Sequence, residues 1–351
     1  MVEASVPVID SFCHWAPIRF ANQLGRRLPR VPQMLTRALS MPVMTDISAR
    51  LRLMDRFPGY RQVPSLVSPP LETLAGPKLA TELARLANDS MAEEASRQPE
   101  RFPGFFASLP LNNHEASLVE AERAIQHLDA VGVQLFTSIN GRAPDSPFIM
   151  DLLAVIAKLD STVLLHPTLQ ADKPDYVDEA HSRFELWWTL GWPYETSKAM
   201  YRLAFRGVFD RWPGLKIITH HAGGMIPMIE GRLGPGLSSY GSRTLGRIRD
   251  KEQMTTQRDV LRACKKFYTD TATFGSASAI DCAIRFFGPD RVLFGSDMPF
   301  GPEEGRGQIV LTAAALQELR LASHERQSIL SGNSTRLLRL KSVDDTPSRV
   351  V

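Results

Sequence analysis

The chain is poor in cysteine and lacks any stretch built for a membrane. Its 351 residues include three cysteines, Cys13, Cys264 and Cys282. They are widely spaced, odd in number and show no Cys-x-x-Cys pattern, which excludes a disulfide framework and reads as reduced thiols. The cytoplasm is the expected location. Nowhere do about 18 uncharged apolar residues follow one another, so no membrane span is expected. The apolar stretch from Val6 to Ile9 is too short for the core of a signal peptide. An excess of charge of one sign is also missing, since 41 basic side chains face 38 acidic ones for a formal net charge of +3. With no basic run interleaved with aromatics, neither nucleic acid nor a membrane surface is an expected partner. Glycine-rich phosphate loops and a nucleophile elbow are absent, which argues against phosphoryl transfer and serine hydrolysis.

What is present is the material of a large soluble core. Hydrophobic residues make up 43% and charged residues 23%, an ordinary globular mix. The length fits two average domains or one α/β barrel with insertions, and the pattern decides for the barrel. Short apolar runs alternate with longer amphipathic segments, as in a parallel sheet wrapped by helices. VPVID (6–10), residues 60–67, FFASLPL (105–111), GVQLFTS (132–138), VLLHP (163–167), KIITHH (216–221), KFYTD (266–270) and RVLFGSD (291–297) read as eight strands. Helices are expected over 79–97, 115–131, 147–159, 311–320 and 323–340, the last starting at Ser323. The fold class is α/β, a (β/α)₈ TIM-type barrel spanning 1–340 as one domain, with a disordered tail over 341–351. Residues 15–45 and 168–196 break the alternation and leave the carboxyl ends of strands, where barrel enzymes build their sites. They read as pocket wall and partial lid, or as surface excursions.

Four polar side chains stand where continuous apolar runs end: His14, His166, His221 and Asp297. A lone histidine at a strand end is more often hydrogen-bonded scaffold. Four such groups on strands one, five, six and eight converge on one mouth, and imidazoles with a carboxylate suit a divalent metal such as zinc.

In order and spacing, these motifs resemble the amidohydrolase-related decarboxylases typified by aminocarboxymuconate semialdehyde decarboxylase. The likeness runs through IDSFCHWAP (9–17), PERFPGFFASLPL (99–111), GVQLFTSINGR (132–142), LLHPT (164–168), residues 191–227, LFGSDMPFG (293–301) and ILSGNSTRLL (329–338). It implies that His14, His166 and Asp297 hold a metal, zinc first or manganese, and that His221 is the general acid/base, with Asp297 beside it. Strand alternation lets only one of His220 and His221 face the mouth. The His-small-Gly-Gly signature selects His221 and leaves His220 to packing. Arg232, eleven residues after His221, either is a solvated helix arginine or matches an arginine that crosses a dimer interface to hold a substrate carboxylate, a task suited to a planar guanidinium. A homodimer is implied. Trp187, Trp188 and Trp192 are read as a pocket wall or as packing beneath the loop.

Two positions depart from the family pattern. Phe12 stands where the family places its first metal histidine, and Cys13 should face away, so the metal is held by three protein ligands or is absent. Gly224 replaces a glutamate found in relatives acting on hydroxybenzoates, which weakens the case for that substrate class. The expected activity is decarboxylation of a small unsaturated or aromatic carboxylic acid. Hydrolysis or hydration of a small carboxylated ester, lactone or enol is the alternative, and a non-catalytic binding barrel the second.

Overall fold

A computed structural model describes residues 7–239 and 257–340; the expected tail at 341–351 lies outside them. In chain order the strand segments are β1 (Val8–Asp10), β2 (His14–Trp15), β3 (Tyr60–Gln62), β4 (Ser65–Leu66), β5 (Phe106–Ala107), β6 (Gly132–Phe136), β7 (Thr162–His166), β8 (Lys216–Thr219), β9 (Tyr268–Asp270) and β10 (Val292–Leu293). All pairings are parallel: β1 with β3, β2 with β4, and β5 through β10 in sequence. The segments β1 and β2 form one interrupted stave, and β3 and β4 another, so eight staves stand where the sequence predicts them.

Main-chain hydrogen bonds join these pieces into a closed wall. Phe106 N donates to Pro64 O at 2.9 Å, linking the second stave to the third. Across the other gap, Ser11 N reaches Phe294 O at 2.9 Å, Asp297 N reaches Phe12 O at 2.8 Å, and His14 N reaches Met298 O at 2.7 Å. A parallel sheet closed this way has helices on its outside and side chains within, so its strands are buried on both faces. This explains runs such as TVLLH in β7, buried throughout. Ile9, Val63, Phe106, Leu164, Ile218 and Leu293 form an apolar cluster drawn from six staves. The larger apolar cluster includes helix faces such as Ala80, Leu83 and Ala87 of Pro77–Arg97, and Leu152, Leu153 and Ile156 of Pro147–Lys158.

The interruption of the first stave is organised by Asp10. Its fully buried carboxylate accepts from Phe12 N at 3.2 Å, from Ser296 N at 3.1 Å, and from the hydroxyls of Ser296 and Tyr60. Staves one, two and eight are thereby tied at one group. Burial pushes the Asp10 carboxyl up to about 6 despite these donors. Beside it, the buried Arg50 donates from Nε to Gln62 Oε1 at 2.7 Å, and from Nη1 to the carbonyls of His14 at 2.8 Å and Val43 at 3.1 Å.

Residues 15–45 are more regular than the sequence suggests. They contain the helices Ile18–Arg27, Gln33–Leu39 and Pro42–Thr45, the first two preceded by Pro17 and Pro32 at their N-caps. The last two are too short for a periodicity to stand out, whereas the first buries Phe20 and Leu24 one turn apart. Arg19 and Arg27 pair with Glu93 and Glu82, so the first of them lies along the helix Pro77–Arg97. The second insertion, 168–196, begins as turns and passes into the helices Leu186–Thr189 and Gly191–Phe205. The expected final helix is divided: Ser323–Gln327 and Asn333–Leu338 flank a π turn at Ser328–Gly332, where Ile329 O accepts from Phe294 N at 2.8 Å. Such bulges free main-chain carbonyls for other partners. Among the described residues no helix is long and apolar enough to cross a membrane.

Replacing Asp10 with alanine leaves buried donors on three staves unpaired. Urea unfolding of Asp10→Ala is expected to show a loss of about 3–5 kcal/mol. The group's folded-state value lies above its unfolded one, so the wild-type contribution is largest at acid pH and declines as pH rises from 3.8 to about 6. The alanine variant lacks that component of the pH dependence.

Candidate active site

The four predicted residues meet at the carboxyl end of the barrel. His14 opens β2 and His166 closes β7, while His221 and Asp297 lie just beyond β8 and β10. His14 Nε2 lies 3.2 Å from Asp297 Oδ1, and His221 Nε2 lies 3.7 Å from Asp297 Oδ2. The rings of His14 and His166 are 5.1 Å apart. One carboxylate is thus set between two imidazoles, with a third beside them.

Two of the three imidazoles are oriented from behind. His14 Nδ1 pairs with Ser65 Oγ at 3.2 Å, leaving Nε2 for Asp297. His166 Nδ1 donates to the Pro167 carbonyl at 2.6 Å, which makes Nε2 the lone-pair nitrogen. Burial lowers the His166 pKa, with His14 and His220 adding to the effect, so this ring is neutral. Burial works against the charged form of Asp297, but hydrogen bonds from His14 and His221 outweigh it and hold the carboxyl well below the usual range. His221 is the mirror case: burial opposes its cation, and the Asp297 carboxylate overcomes that and raises its pKa. Its Nδ1 has no partner among the described residues.

Of the neighbouring His220 and His221, only His221 is open to the mouth, although strand alternation is not the reason. β8 ends at Thr219, and His221, Ala222, Gly223 and Gly224 all have positive φ (55°, 57°, 77° and 62°). Strand alternation no longer applies in such a turn: His220 is wholly buried against the Phe12 ring at 3.5 Å, and His221, 5.5 Å from that ring, is the more open of the two. The His220 ring lies 5.3 Å from that of His166. Non-glycine residues in the left-handed region cost about 1–3 kcal/mol each, and Asp297, with φ 63°, is another. Gly224 is required sterically, since a Cβ there would stand 2.5 Å from Pro193 O and 2.8 Å from Ser197 Oγ. A glutamate at this position has no room unless the helix Gly191–Phe205 moves.

Phe12 occupies the centre of the histidines, stacked on His220 and edge-on to His14 and His166 at 5.0 and 5.7 Å. Cys13 turns to another apolar cluster, as strand alternation predicts. Asp270, at the end of β9, was not foreseen, although YTD repeats the strand-end signal of the other site residues. It binds His220 Nδ1 at 2.7 Å and the main-chain N of His221 at 3.0 Å.

The three tryptophans separate. Trp192 lies 5.7 Å from His166 and 6.3 Å from His221, nearly parallel to the latter, and forms a wall of the site. Trp187 backs it at 5.4 Å. Trp188 turns instead to Phe274 at 6.2 Å and donates to Glu185. Arg232 is exposed on the short helix Glu230–Leu233.

In kind, the donors fit a divalent cation. His14 Nε2 and Asp297 Oδ1 stand at the separation of neighbouring ligand atoms around a metal with bonds of about 2.0–2.2 Å. His166 shows the tautomer of a metal-ligating imidazole whose other nitrogen is tied to a carbonyl. Convergence is incomplete, because among the described residues no three His, Cys, Asp or Glu side chains are gathered closely enough to hold a metal as they stand.

The fold and site together define a closed parallel barrel that presents imidazoles and a carboxylate at its carboxyl mouth. The chain belongs to the amidohydrolase family, whose profile matches residues 9–340. It is 28% identical over 298 residues to the 2-amino-3-carboxymuconate-6-semialdehyde decarboxylase of Dictyostelium discoideum, covering 84% of this chain and 77% of that one. It is 30% identical over 307 residues to the gamma-resorcylate decarboxylase of Polaromonas sp. strain JS666, covering 83% and 86%. The crystal structure of a dihydroxybenzoic acid decarboxylase from Polaromonas, with bound manganese and 2-nitroresorcinol, superposes with a TM-score of 0.75 at 25% identity, covering 96% of this chain and 98% of that one.

Salicylate titrated into the protein is expected to quench tryptophan fluorescence. Most of the change should be lost in Trp192→Phe and kept in Trp188→Phe. Equal loss in both variants would remove Trp192 from the wall.

Proposed function

We propose that this protein is a carboxy-lyase that removes carbon dioxide from a small aromatic or unsaturated carboxylic acid, with His14, His166 and Asp297 as ligands of a divalent cation. The observation that carries the reading is the Asp297 carboxylate held between His14 and His221 at the barrel mouth. Decarboxylation leaves an electron pair on carbon that must be stabilised and then protonated. A bound cation supplies a Lewis acid for an oxo or hydroxy oxygen next to the departing carboxylate. His221 is suited to deliver the proton: its side chain is partly open to the mouth, Asp297 favours its protonated form, and Nδ1 is uncommitted. Such proton transfer contributes roughly 10²–10⁴ in rate. Asp297 orients His221, Ser65 orients His14, and Trp192 offers a flat face to an aromatic ring while excluding water.

The likeness to decarboxylases over most of the chain supports carbon–carbon cleavage over hydrolysis or hydration. For the cation, zinc suits two imidazoles and a carboxylate, and manganese is bound in the Polaromonas structure. Cytoplasmic residence fits three free cysteines, Cys13, Cys264 and Cys282. A homodimer, in which Arg232 of one copy serves the other's substrate, completes the reading.

Elemental mass spectrometry of the purified protein is expected to find about one zinc or manganese per chain, lost in His166→Ala. The metal-loaded enzyme should release carbon dioxide from one or more acids in a panel containing salicylate, 2,6-dihydroxybenzoate and muconic acids. His221→Ala should lower kcat by roughly 10²–10⁴ with the metal retained. Hydration of enols or opening of lactones, without carbon dioxide release, would overturn the assignment.

A further inference from the structure

A second buried ensemble stands behind the reacting groups, and the mechanism above does not use it. Its centre is Asp270. One carboxylate oxygen accepts from His220 Nδ1 at 2.7 Å, and the other accepts from the main-chain N of His221 and of Ala272, both at 3.0 Å. His220 is wholly buried, and its Nε2 has no partner among the described residues. The Phe12 ring lies flat on it, with centroids 3.5 Å apart and planes 13° from parallel. Gly295 completes the block, because a Cβ there would meet Phe12 Cβ at 2.8 Å and Asp270 Cβ at 2.9 Å. Staves one, six, seven and eight thus interlock directly beneath the mouth.

We infer that Asp270 is the positioning residue of this active site: its carboxylate holds the left-handed turn that aims His221 at Asp297, with the Phe12–His220 stack as the wall behind it. His221 and Ala222 both have positive φ without being glycine. Such a turn persists only where its surroundings over-determine it. Asp270 does this by fixing the His221 amide from one oxygen and the preceding side chain from the other. Among the described residues, no other side chain hydrogen-bonds to the main chain of His221. If the turn relaxed toward the right-handed region, the His221 ring would swing away from Asp297. The same geometry gives Phe12 a use. Where relatives of the resembled type place a metal-binding histidine, this chain places a flat ring that seats His220 against Asp270.

The inference rests on His221 being the proton-carrying group, and the test separates the two claims. Asp270→Asn keeps the volume and one acceptor while removing the charge. It is compared with the wild type, and with Asp270→Glu, by steady-state kinetics on whichever acid of the panel is decarboxylated. Thermal unfolding and the imidazole ¹⁵N spectrum of ¹⁵N-histidine-labelled protein are recorded alongside. The expected result is a fall in kcat of roughly 10- to 100-fold, the scale for groups that orient a catalytic side chain. KM should change by no more than about threefold. The unfolding midpoint should stay close to that of the wild type, and the His221 and His220 resonances should move. Asp270→Glu, which misplaces the carboxylate, should not restore kcat. Activity that falls only in step with the folded fraction, with the His221 resonances unchanged, would overturn the inference. If the wild type decarboxylates nothing in the panel, the proposed function fails, and the spectrum alone decides on Asp270: unmoved His221 resonances reject it.

Discussion

The structure depends on closing the wall between its first and last staves, and the closing group is a buried carboxylate. Asp10 gathers donors from Phe12, Tyr60 and Ser296. A carboxylate taken out of water is costly unless its lone pairs are satisfied, and here neighbouring staves satisfy them. The arrangement makes the stave positions mutually dependent. His14, four residues after Asp10, and Asp297, one after Ser296, inherit their places from it. Arg50 adds a second tie by donating to the carbonyl of His14 itself.

Above this foundation, the site trades backbone comfort for direction. His221 and Asp297 both adopt positive φ, and both bring their side chains into a mouth that regular strands would have carried past it. Electrostatics then divides the labour. His166, neutral through burial, is suited to donate a lone pair, whereas His221, raised by the adjacent carboxylate, is suited to carry a proton. The two imidazoles differ in surroundings rather than in chemistry, which is how one residue type fills two roles.

The barrel was legible because buried parallel strands write themselves as apolar runs, and the polar residues ending them stand out: VLLH, IITHH and LFGSD each announce their last residue. Less legible was whatever depends on tertiary neighbours. The helices Gln33–Leu39 and Pro42–Thr45 are too short for their period to show. That His221 and not His220 opens to the mouth is set by the left-handed turn after β8, which no alternation rule encodes. Trp187, Trp188 and Trp192 cannot be told apart along the chain, yet only Trp192 faces the histidines. Phe12 reads as a lost ligand; its stacking on His220, over two hundred residues away, is visible only in three dimensions.

The closing bonds also bear on how the chain is made. The Asp10 carboxylate finds its Ser296 partner 286 residues further on. During synthesis, the first stave must therefore wait for nearly the whole chain before its edge is covered. Until then, its main-chain groups and the edge of the growing sheet are open to the wrong neighbours. Contacts of such sequence separation slow folding, because loop entropy is lost before they form. The catalytic mouth shares this schedule, since Asp297 follows Ser296 directly. A nascent chain carries its histidines early and acquires a working arrangement of them only at the end.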